Sequence, residues 1–168
     1  MLDLGCGSNK WPGAVGIDVS AATAADVVHD LDVFPYPLED ESFDVVLMQD
    51  VIEHIRDVYG LMTELHRVLR PGGRVLLRTP HFSSLLAYGD PTHVHQLSLL
   101  AVDGLAQPGF QHYGAARFRV RSNRVDLWTP FRLLGLERLA NRFPRLYETY
   151  FAFRLPAMNI RAELEVVK

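Results

Sequence analysis

Residues 2–18 read LDLGCGSNKWPGAVGID, and this stretch decides the fold. The apolar triplet Leu2, Asp3, Leu4 runs straight into Gly5-Cys6-Gly7, and a second apolar run ends at Asp18. A short strand feeding a Gly-x-Gly loop is how a ligand loop begins at the carboxyl edge of a doubly wound sheet. Glycine there lets the backbone pass close to a ligand. A dinucleotide fingerprint needs a third glycine, but Lys10 stands at that position, and its ribose-binding acid lies about 20 residues on. Asp18 comes much sooner, so the pyrophosphate reading is weak.

Outward from this stretch the pattern is α/β. Residues 14–19 (AVGIDV) and 25–30 (ADVVHD) read as two further strands, ending near Asp18 and Asp30. FPYP at 34–37 excludes regular structure. FDVVLMQD at 43–50 is nearly all apolar, as a strand buried on both faces should be. Residues 51–73 have helical spacing, with Leu61, Leu65, Val68 and Leu69 on one face, Asp57 as a candidate cap and Pro-Gly-Gly as a stop. RVLLRTP at 74–80 is the next strand, and HFSSLLAYGDPTHVHQ at 81–96 is a loop or lid. Residues 97–107 and 131–143 read as helices, 116–128 as a strand bending at Ser122-Asn123, and 160–168 as a final strand. Residues 145–159 are ambiguous. The expected fold is a Rossmann-like, doubly wound, mainly parallel sheet with an antiparallel C-terminal strand, in a three-layer sandwich.

The 168 residues fit one domain, with 1–82 as the cofactor half and 83–168 as the acceptor side. Cys6 is the only cysteine, so the chain has no internal disulfide and no cysteine metal cluster, which fits a reducing cytosol. No signal peptide or bilayer-spanning run is visible, and the expected location is cytoplasmic. The net charge of −3 is unevenly spread. Acids dominate from Asp3 to Glu64, arginines from Arg117 to Arg161.

Asp3, Asp18 and Asp30 stand at or near strand ends that a parallel sheet brings side by side. Acids on that rim suit a ligand with hydroxyls, an amine and a positive centre better than one carrying phosphates. S-adenosylmethionine (SAM) has all three. The chain also resembles a class I SAM-dependent methyltransferase of the broad bacterial type. LDLGCG is similar to that family's first motif, GIDVS to its second strand and VVHDLDVFPYP to its third. SFDVVLMQDVIEHI and LHRVLRPGGRVLLRTP are similar to its fourth and fifth strands. The resemblance covers about residues 1–82. It implies a loop of Asp3, Gly5, Cys6 and Gly7 beneath the methionine part, and Asp18 and Val19 at the ribose. It also implies Asp30 and Leu31 at the adenine and Gln49 beside the methionine part, with S-adenosylhomocysteine as product. Two departures bear on how the cofactor is enclosed. Met1 stands inside the first strand, where the family carries a helix before it, and SNKWPGAVG has no room for a crossover helix.

Methyl transfer from a sulfonium needs alignment, and a neutral acceptor calls for a base, often His. The candidates are Asp50 after the fourth strand, His81 after the fifth, and His93 and His95 in the loop. His54 is assigned mainly to a hydrogen bond within the fold. His81, Asp90, His93 and His95 also have the chemistry of a metal site. Without a longer ligand signature a base or orienting role is preferred, and no metal is expected. MQDVIEH in place of an Asn/Asp-Pro-Pro-Tyr motif disfavours base amino methylation. The acceptor expected is a small molecule or a glycan-like compound. RNA held by Arg117, Arg119, Arg121, Arg124, Arg132, Arg138, Arg142 and Arg145 is the rival within enzymes, and a non-catalytic SAM-binding module the rival outside them. Closely spaced aromatics, Phe131, Phe143, Tyr147, Tyr150, Phe151 and Phe153, favour a homodimer.

Overall fold

The computed structural model describes residues 1–106 and 116–168; Gln107, the last residue of the expected helix 97–107, lies outside them. The strands are β1 (Leu2–Leu4), β2 (Val15–Asp18), β3 (Val27–Val28), β4 (Phe43–Gln49), β5 (Leu69–Pro80), β6 (Phe118–Leu127) and β7 (Ala157–Val166). They form one sheet in the order β3-β2-β1-β4-β5-β7-β6. All pairs are parallel except β5 with β7 and β6 with β7, so β7 runs against the rest, as expected of the C-terminal strand.

The helices are α1 (Val58–Val68), α2 (Leu86–Gly89), α3 (Leu99–Gly104), α4 (Thr129–Leu133), α5 (Leu136–Arg142) and α6 (Pro144–Tyr150). Asp57 caps α1, its Oδ1 accepting the Gly60 N–H at 2.9 Å. The helical run is shorter than the spacing predicts. Residues 52–54 form a separate 3-10 turn, and Ile55 is extended. The expected single helix over 131–143 splits at Gly135, whose φ of 75° ends α4 before α5 starts. Residues 145–150, ambiguous in sequence, belong to α6. The bend expected at Ser122-Asn123 is a register shift between Val120 and Ser122, across which β6 continues.

One face of the sheet carries the core. Val46 and Met48 of β4, Val75 and Leu77 of β5, and Ile160 and Leu164 of β7 are buried in one cluster with Leu61, Met62, Leu65 and Val68 of α1. Each fully buried Leu or Met of this kind is worth about 1.5–3 kcal/mol. The other face alternates with it: Arg74, Leu76, Arg161 and Arg124 are exposed, and no described helix covers them. The third layer is therefore thin. The cause lies in the connections, because β1–β2 and β2–β3 are joined by turns rather than helices.

The short β1–β2 turn is tied by polar contacts. Lys10 Nζ donates to both carboxylate oxygens of Asp26, at 2.8 and 2.7 Å, and Asp26 Oδ2 also accepts the Gly16 N–H at 2.7 Å. Those bonds hold the Asp26 carboxyl below its ordinary range, Lys10 contributing most. The Trp11 N–H is received by Asp3 Oδ2 at 2.7 Å. Lys10, where a dinucleotide loop has glycine, thus closes a helix-free turn.

Arg67 pins the β3–β4 connection onto α1. Its guanidinium donates to Glu64, to Asp40 and to the carbonyls of Tyr36 and Leu38, while Glu64 Oε2 accepts the Tyr36 N–H at 2.7 Å. Tyr36 in turn donates its hydroxyl to the Leu31 carbonyl at 2.9 Å. Burial pushes the Glu64 carboxyl up, but the bonds from Arg67 and Tyr36 outweigh it and the net shift is downward. A lowered folded value means this contribution is complete at neutral pH and is lost as pH falls from the ordinary glutamate range through that lower value. Removing Arg67, itself half-buried, strands the buried Glu64 carboxylate, at a cost of about 1–3 kcal/mol. Arg67→Met is expected to lower unfolding stability in urea by about that amount at pH 7. The deficit should shrink on acidification, and a loss equal at pH 7 and pH 3 would show that the pair is not the cause.

Candidate active site

The carboxyl ends of β1, β2 and β4 meet the turns after β3 and β4 in a cleft of about 290 Å³. Its lining comes from Gly5, Asp18, Val19, Asp30–Asp32, Asp50, Val51 and residues 54–55. Four carboxylates and no lysine or arginine face this space. The floor depends on Gly5, whose φ is 64°. A Cβ there would lie 2.6 Å from Val51 Cγ2, so the loop can approach the start of the 3-10 turn only without a side chain. Gly5 and Cys6 both donate backbone N–H groups to the Ile17 carbonyl, at 2.8 and 3.2 Å, which locks the loop to β2.

Asp18 ends β2 with its carboxylate half-buried. Oδ2 accepts the Gly7 N–H at 2.9 Å and Oδ1 the Ser20 N–H at 3.0 Å. Each carboxylate oxygen accepts two hydrogen bonds, so one lone pair on each remains for a ligand hydroxyl. Of the residues singled out from sequence, Gly5, Asp18, Val19, Asp30, Leu31 and Asp50 line the cleft. Asp3 and Cys6 lie buried beneath it, and burial pushes the Cys6 thiol up. Gly7 lies outside the lining, its N–H holding Asp18. Gln49 points away, into a hollow on the open sheet face beside Trp11, Leu76 and Arg78.

Asp50 has a φ of 56°, an uncommon conformation that turns the chain sharply out of β4. Its carboxylate pairs with Arg78 of β5, and its N–H donates to the Arg78 carbonyl at 2.8 Å.

The candidate histidines separate into two places. His81 is fully buried; its Nε2 meets Glu148 Oε1 at 3.1 Å and its Nδ1 meets Ser83 Oγ at 2.8 Å. Glu148 also accepts the Leu99 N–H, so His81 ties the loop to α3 and α6 and does not line the cleft. His93 lies against His54, with ring centroids 4.6 Å apart. The loop that carries it is fastened to the 3-10 turn, because Val94 and His95 both donate N–H groups to the Glu53 carbonyl at 2.8 and 3.1 Å. His95 Nε2 is buried with no partner. Asp90 is held below its ordinary range by the hydroxyl and N–H of Thr92. Sequence reasoning passed over Glu53 and Thr92. Glu53 is 1% exposed, its Oε2 accepting the Thr79 hydroxyl at 2.9 Å, and its Oε1 has no partner. Burial raises its carboxyl above the ordinary range. A glutamate beside a histidine at a strand end was the available signal.

The arginines do not form a continuous basic face. Arg121 pairs with Glu165 and Arg161 with Asp126, while Arg124, Arg138 and Arg142 share a groove with Asp126 and Glu137. The compensating acids come from the second half, not the acidic first half. Tyr147 is core, its hydroxyl pushed up to about 12 by burial, whereas Phe143, Tyr150 and Phe153 are exposed.

A methyltransferase-domain family profile matches residues 2–77. Over 99 residues the chain is 33% identical to phosphoethanolamine N-methyltransferase 2 of Caenorhabditis elegans, covering 46% of this chain and 23% of that protein. It is 33% identical over 98 residues to a ubiquinone biosynthesis O-methyltransferase of a Bradyrhizobium strain, covering 47% of this chain and 39% of that protein. The chain thus spans well under half the length of these relatives. The crystal structure of a SAM-dependent methyltransferase from Archaeoglobus fulgidus superposes with a TM-score of 0.61 at 14% identity, covering 98% of this chain and 84% of that one. Residues 2–77 are thus similar to a methyltransferase domain, and the strand order and the superposition show that the chain shares the fold of that SAM-dependent methyltransferase.

If Gly5 is needed because Val51 fills the space above it, Gly5→Ala should cost about 1–3 kcal/mol. In a double-mutant cycle Val51→Ala should recover part of that loss. Strict additivity of the two substitutions would show that the contact plays no part.

Proposed function

We propose that the chain binds SAM in the acidic cleft and transfers its methyl group to a small-molecule or glycan-like acceptor. The observation that carries this is the charge of the cleft: Asp18, Asp30, Asp32 and Asp50 line it with no lysine or arginine in the lining. Among the described residues Asp50 alone of the four is paired, with Arg78 from outside the cleft. Phosphates would be repelled there. A ribose diol, an amino group and a sulfonium each gain, since carboxylates accept hydrogen bonds and attract positive charge. Asp18 holds the ribose hydroxyls through its spare lone pairs, and Asp30 and Leu31 border the adenine. Gly5 keeps the floor low enough for the methionine part. The enzyme's main task is then to align acceptor and methyl group, since positioning supplies much of the rate.

Small-molecule acceptors are supported by the names of the relatives, which act on ubiquinone precursors and phosphoethanolamine. The acceptor enters beside His54 and Asp50, where the loop carrying His93 and His95 meets the cleft. Asp50, His93 and His95 orient it or receive its proton. RNA gains no support from an arginine region so interleaved with acids. The exposed aromatics of α5–α6 support self-association as a homodimer. No described helix is long and apolar enough to cross a membrane, in keeping with a cytoplasmic enzyme.

Calorimetry with S-adenosylhomocysteine tests the cofactor assignment. Wild type should bind one equivalent and Asp18→Ala at least tenfold more weakly, a loss of about 1.4 kcal/mol. Unchanged affinity in Asp18→Ala would show that the ribose lies elsewhere.

A further inference from the structure

Glu53, His54 and His93 each place a ligand atom within 4.8 Å of the others. Donors sharing a tetrahedral zinc ion at 2.0–2.1 Å stand roughly 3.3 Å apart, so a small contraction closes the set. The hydrogen bonds around the cluster decide which nitrogens are free. His93 Nδ1 lies 3.2 Å from the Ala87 carbonyl, which only accepts, so Nδ1 carries the proton and Nε2 keeps its lone pair. His54 Nδ1 lies 2.9 Å from Thr92 Oγ1. The Thr92 hydroxyl donates its single proton to Asp90 Oδ1 at 2.6 Å, so His54 Nδ1 must donate to it, and His54 Nε2 is also free. Orientation of a ring by a bond from its other nitrogen is the usual support of a histidine ligand. The third member supplies an independent sign: Glu53 is buried, and its Oε1 has no partner. A buried carboxylate oxygen normally has one.

We propose that Glu53, His54 and His93 bind one divalent transition-metal ion, of the zinc class, at the wall of the cleft. Two histidines and a carboxylate are a donor set that zinc and ferrous sites use, with positions left for water or substrate. His54 lines the cleft, so such a position can face the acceptor. This points to the acceptor class, and that part rests on the methyltransferase reading. An amine bound to a metal has no lone pair left to attack the methyl group; a bound hydroxyl oxygen does. The acceptor is therefore an oxygen nucleophile. With His93 on the metal and orienting the acceptor, the hydroxyl proton passes to Asp50 or to solvent, the oxygen lone pair forms the C–O bond, and the C–S bond breaks with its electron pair remaining on sulfur, which turns the sulfonium into a neutral thioether.

The test is titration of chelator-treated protein with Co²⁺, read by its visible ligand-field bands, with competition by Zn²⁺. Wild type should take up one equivalent that Zn²⁺ displaces. His93→Ala should lose it, and Thr92→Val, which touches no metal, should weaken it about 10–100-fold. His29→Ala, outside the cluster, should bind normally. Acetohydroxamate should shift the bands by entering an open position. Failure to saturate, or unchanged binding in His93→Ala, overturns the site; bands that ignore acetohydroxamate overturn its role toward the acceptor. S-adenosylhomocysteine binding, measured on the same samples, separates the two readings. Cofactor binding without Co²⁺ uptake sinks the metal site and the acceptor class drawn from it but leaves the methyltransferase reading, and Co²⁺ uptake without cofactor binding sinks the methyltransferase reading and that acceptor class but leaves the metal site.

Discussion

The site depends on one close approach. At the end of β1 the chain turns with positive φ at Gly5, directly against Val51, while Gly5 and Cys6 hang their N–H groups on Ile17 of β2. Two strands, β1 and β2, and the turn after β4 are thereby fixed within a few ångströms. Asp18 is placed by the same turn, since its carboxylate holds the Gly7 N–H. A side chain at Gly5 would separate the loop from the 3-10 turn that carries Glu53 and His54.

Economy elsewhere follows from how the connections are made. Helices normally cover both faces of such a sheet. Here the Lys10–Asp26–Gly16 bonds close the first crossover in a turn, and the Arg67 cluster fastens the third connection to α1. The cost is an open face where Arg74, Arg161 and Arg124 meet solvent. Cross-strand acids answer two of them, Glu163 pairing with Arg74 and Asp126 with Arg161. The cleft itself takes its charge from strand-end aspartates, so the same parallel geometry that builds the sheet concentrates negative potential at its carboxyl edge.

Much of this was legible in the sequence. The Gly-x-Gly loop, the early Asp18 and the apolar run 43–49 gave strand identity and cleft position, because parallel strands leave local signatures. Asp57 gave the start of α1 for the same local reason. What was not legible depends on contacts far apart in the chain. His81 looks like a site residue beside a strand end, and only Glu148, 67 residues on, makes it a structural tie. Gln49 alternates onto the open face, which cannot be foreseen while a helix is expected there. Glu53 looks like an ordinary surface glutamate until the loop bearing Val94 and His95 closes over it.

The most direct measurement is a crystal structure with S-adenosylhomocysteine bound. It should show the ribose hydroxyls on Asp18, the adenine against Leu31 and the sulfur opening toward His54. Ligand density on the open face beside Trp11 and Gln49, with the acidic cleft vacant, would contradict the placement of the cofactor and everything derived from it.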